Sequence, residues 1–64
     1  MDNFTATMIA EGQFELVGIE DGELTEEMYL EAWQHLVNTG LAWQLQGWFG
    51  RTAKNLIILG IINK

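Results

Sequence analysis

The stretch Leu36–Gly60, LVNTGLAWQLQGWFGRTAKNLIILG, constrains this chain more than any other. Thr39-Gly40 predicts the end of a helix, because glycine takes the left-handed closing conformation without a Cβ clash. An aromatic-rich segment then crosses Trp43, Trp48 and Phe49. Leu45, Trp48, Phe49, Thr52, Ala53, Leu56, Ile57 and Gly60 recur at helical spacing, with Trp48 at the centre of the stripe. Gly47 and Gly50 each cost about 1 kcal/mol against alanine inside a helix. They predict either one interrupted helix or a short helix near 42–46 followed by a longer one over 48–59. Both glycines would let another backbone come close, helix one being the candidate.

Upstream, the signals predict a helix over about 25–39. Thr25 is a good N-cap, and Glu26 and Glu27 sit where the helix dipole favours acids. Tyr29, Leu30, Trp33, Leu36 and Val37 form its apolar stripe, with Glu27, Glu31, Gln34 and Asn38 on the other face.

Residues 1–22 read differently. Phe4, Ala6, Met8 and Ala10 alternate with their neighbours, and so do Phe14, Leu16 and Gly18. A three-residue loop, Glu11-Gly12-Gln13, would pair Ala10 with Phe14 and Met8 with Leu16 on one face. The alternation predicts a β-hairpin; the rival is a mobile tail. Gly18–Gly22 reads as a turn or linker. The fold class is therefore mainly α: two to three packed helices with an N-terminal extended segment or hairpin. Residues 1–22 are an extension, and 23–64 a helical mini-domain.

With 64 residues the chain is one domain at most. Folding should bury roughly 60% of the unfolded surface and leave about 4,200 Å² exposed. Apolar burial then contributes on the order of 95 kcal/mol, and ordering the chain costs about the same. No cysteine and one histidine leave neither a disulfide nor a structural zinc site as a staple. Self-association or a partner is the remaining staple, and a homo-oligomer is expected. Ile58, Ile61 and Ile62 lie off the main stripe beside Arg51 and Lys54, and these five are the candidate interaction residues. Glu27 or Glu31 of one copy would meet Arg51 or Lys54 of another.

Charge is segregated. All nine acids lie at or before Glu31, and Arg51, Lys54 and Lys64 all follow it. A net charge of −6 disfavours phosphate backbones at long range, so nucleic acid is an unfavoured partner. No basic leader precedes an apolar run, and no run approaches the roughly 20 residues that span a bilayer. The expectation is a cytoplasmic protein with no membrane association.

No catalytic constellation is visible, and neither an enzyme activity nor a cofactor or metal is expected. His35 has Glu31 four residues earlier but no nucleophile, which reads as surface helix pairing. Glu20-Asp21-Gly22-Glu23 lacks the ligand ladder of a calcium loop. Arg51 could stack on Trp43 or Trp48 and pair with an acid of helix one. Trp33, Trp43, Trp48 and Phe49 are candidate core residues or binding anchors.

The run TGLAWQLQGWFGRTAKNLI, Thr39 to Ile57, resembles a family of small bacteriophage proteins, most of them uncharacterised. The residues that carry it are Gly40, the AWQLQG of Ala42–Gly47, the GRTA of Gly50–Ala53, and Leu56-Ile57. The resemblance covers roughly residues 25–60. It implies a phage-encoded protein acting in a bacterial host and brings no activity with it. The expected function is a non-enzymatic protein that binds and modulates a host protein. The alternative is a small helix-turn-helix DNA-binding or transcription-modulating protein, with Arg51, Lys54 and Asn55 on the exposed face of its second helix.

Overall fold

Asp2 sets the start of the chain. In a computed structural model describing residues 1–64, its side chain accepts the Thr5 N–H at 2.7 Å and caps helix α1, Asn3–Glu11. Hydrogen bonding from Thr5 holds the Asp2 carboxyl below its ordinary value. Gly12, at φ 82°, closes the helix: Gly12 N–H donates to Ile9 O and Gln13 N–H to Met8 O. A 3-10 turn, Phe14–Val17, follows and ends at Gly18, also at positive φ.

No strand forms, so the hairpin expectation is corrected. The alternation at Ala6, Met8 and Ala10 hid a second pattern. Ala6, Ile9 and Ala10 stand at i, i+3 and i+4, and all three are buried on one face of α1. They belong to the same core cluster as Ala32, Trp33, Leu36, Val37, Phe49 and Ala53. The division into a 1–22 extension and a 23–64 body fails for the same reason, because the N-terminal helix supplies core. A hydrogen bond of 2.8 Å between Asn3 Oδ1 and His35 Nε2 ties α1 to the next helix. His35 is therefore engaged across helices.

That helix, α2, spans Glu26–Thr39. Thr25 Oγ1 accepts the Met28 N–H at 3.1 Å, and Gly40 closes the helix at φ 82°, both where the sequence places them. A 3-10 turn, Leu41–Trp43, replaces the short helix expected near 42–46. Helix α3 then runs from Gly47 to Ile58. The neighbour that approaches Gly50 is this 3-10 turn, not helix one. A Cβ there would sit 3.5 Å from the Trp43 ring and 3.6 Å from the Ala42 carbonyl.

Trp33 is the hub of the core. It is fully buried and meets Tyr29 at 6.5 Å, Trp48 at 6.3 Å and Phe49 at 5.9 Å between ring centroids. Trp48 stacks on Phe49 at 3.9 Å. Trp48 is only half-buried, so the centre of the aromatic cluster belongs to α2 and not to the α3 stripe. The Trp33 indole N–H is buried without a hydrogen-bond partner. The folded surface is 4215 Å², close to that expected of a lone chain of this mass.

Candidate interaction surface

The C-terminal turn decides which side chains reach solvent. Gly60, at φ 76°, donates its N–H to Ile57 O at 3.0 Å, and Ile61 N–H donates to Leu56 O at 2.9 Å. This pair of bonds is the Schellman closure. It folds the last residues back along the molecule, where Gln34 receives them. Gln34 Oε1 accepts the Asn63 N–H, and Gln34 Nε2 donates to the Asn63 carbonyl, each at 2.7 Å. The amide thus matches both backbone groups of one residue, as a neighbouring strand would.

Held this way, Ile62 turns inward and is only 5% exposed. Its place among the interaction candidates is corrected: Ile62 covers the core of its own chain. Ile58, Leu59 and Ile61 are left outside at 69%, 70% and 46% exposure. Spacing on α3 assigns Leu59 no face, because the helix ends at Ile58 and Leu59 is its C-cap. Lys54 lies one turn before Ile58, and both are exposed.

A second feature lies at the other end of α3. Trp43 is 52% exposed and forms a wall of an open groove of about 350 Å³. Gly47 and Gly50 form side-chain-free parts of its lining, with Ala42 and Leu45 as further apolar lining and Arg51 and Lys54 as the cations. The Arg51 guanidinium reaches back over Gly47, with Nη1 3.1 Å from where a Cβ would stand. Gln46 Oε1 accepts the Trp48 indole N–H at 3.1 Å, which fixes the start of α3. Of the four aromatic candidates, Trp33 and Phe49 are core, Trp48 is half-buried and Trp43 faces out.

No three histidine, aspartate or glutamate side chains converge where they could hold a metal ion. No helix is long and apolar enough to cross a membrane.

The sequence profile of a family described as a domain of unknown function, DUF7417, matches residues 6–64. The chain belongs to this family. The DUF7417 match begins within the first turn of α1 and runs to the last residue, so it includes most of α1. No curated protein and no solved structure matches the chain.

Proposed function

We propose that this protein is a small non-enzymatic interaction protein that binds and modulates a protein of the cell in which it is made. One observation carries this reading. Three neighbouring large apolar side chains, Ile58, Leu59 and Ile61, stand in solvent with Lys54 one turn before Ile58, although the chain is small enough to need its apolar surface inside. The turn that exposes them is built by specific hydrogen bonds, so the exposure is a feature of the fold and not of a frayed end. The resemblance to phage proteins supports a bacterial host as the source of the partner and its cytoplasm as the place of action. We assign no catalytic role: the one histidine is hydrogen-bonded to Asn3 Oδ1 across helices.

The test is capture from bacterial lysate with tagged parent and with tagged Ile58→Glu/Ile61→Glu. Both substitutions fall on exposed positions, so circular dichroism should be unchanged. The parent is expected to retain a protein that the variant loses at least about tenfold, the range of a buried apolar anchor. Identical captures from both would overturn the reading. A low-salt gel shift with duplex DNA that disappears on Arg51→Glu would favour the helix-turn-helix alternative instead.

A further inference from the structure

We propose that the groove beside Trp43 receives Leu16 of a second copy of this chain, with Glu11 and Glu15 of that copy paired to Arg51 and Lys54. The two surfaces are complementary in charge, and each offers exposed apolar surface. The groove is lined mainly by apolar groups, carries two cations and has no acid on its walls. Leu16 is 66% exposed within the 3-10 turn, and it shares a surface depression with Glu11 and Glu15. It offers one exposed apolar side chain in the company of two glutamates. A groove of this volume accepts a leucine side chain with room to spare.

Other exposed apolar side chains fit less well. Phe4 is flanked by the uncharged Asn3 and Thr5. Met1 adjoins Asp2, whose carboxylate is engaged in capping α1. Ile58, Leu59 and Ile61 lie in a half of the chain that contains no acid, so they would set like charges against Arg51 and Lys54. A polyphosphate would meet only two cations on a molecule of net charge −6. Two such contacts made reciprocally close a dimer, and one alone extends a head-to-tail chain. The contact uses none of Ile58, Leu59 and Ile61, the apolar part of the partner-binding patch, although Lys54 borders both surfaces.

Sedimentation velocity at low salt tests it. The parent is expected to associate as concentration rises, and to dissociate in about 1 M salt, where screening acts within ~3 Å. Glu11→Lys/Glu15→Lys should weaken association at least about tenfold, as two attractive pairs become repulsive. The direction is diagnostic, because each exchange adds two charges and brings the net from −6 to −2, which by itself would ease approach. Arg51→Glu/Lys54→Glu should weaken it similarly. An equimolar mixture of the two variants should associate again, since the lysines of one meet the glutamates of the other. Leu16→Ser should also weaken it, and the charge-neutral Ile58→Ser/Ile61→Ser should leave it unchanged. A parent that remains monomeric at high micromolar concentration overturns the proposal. So does a mixture that stays monomeric, or association lost only through Ile58 and Ile61.

Discussion

Trp33→Ala is expected to unfold the protein. Trp33 has no exposed surface and contacts aromatic rings from both α2 and α3. Truncating a buried tryptophan costs about 3–5 kcal/mol. A chain of this length has a total stability of roughly 3–10 kcal/mol, so little or none would remain. Thermal and urea melts followed by circular dichroism should lose their cooperative transition at 25 °C. Trp33→Phe should cost much less, because it keeps a ring in place and removes the buried, unpartnered indole N–H. Trp48→Ala should fall between the two, since Trp48 is half-buried. A Trp33→Ala protein that melts like the parent would show that the core is centred elsewhere.

Deleting residues 1–12 should be equally severe. The deletion removes Ala6, Ile9 and Ala10 from the core and the Asn3–His35 hydrogen bond with them. It would uncover part of the cluster around Trp33 and Leu36. Helical signal should drop by far more than the share of α1, and melting should become non-cooperative. Within the full chain, Ile9→Asp is expected to act in the same direction, because a carboxylate would enter a site that is 1% exposed. A fragment 13–64 that melts cooperatively would show that the C-terminal helices need no N-terminal support.

What was legible in the sequence was local. Thr25, Gly40 and Gly60 announce their roles within one turn of chain, and the helix ends fall where those residues place them. The N-terminal helix carried local signals too: Asp2 as a cap and Gly12 as a closing residue. The alternation of Ala6, Met8 and Ala10 points the other way, over a window too short to separate a period of 2 from one of 3.6. Tertiary facts were not legible. Spacing assigns Trp33 and Trp48 to apolar faces but cannot rank their depth. Ile62 is drawn inward by Gln34 gripping Asn63, 29 residues away, and no local pattern encodes that grip. The site divides in the same way. The exposure of Arg51, Lys54 and Ile58 follows from the helical wheel of α3. The outward turn of Trp43 and the pairing of groove and Leu16 depend on how distant elements pack.

The central structural claim is that all three helices form one cooperative core, with the C-terminal turn and the Trp43 groove exposed outside it. Native-state hydrogen exchange measures this residue by residue. The amides of Ile9 and Ala10 should exchange with the same opening free energy, and the same denaturant dependence, as those of Leu36 and Val37 in α2. Near-unprotected exchange across α1, with α2 and α3 still protected, would contradict the claim and return residues 1–11 to the status of a tail.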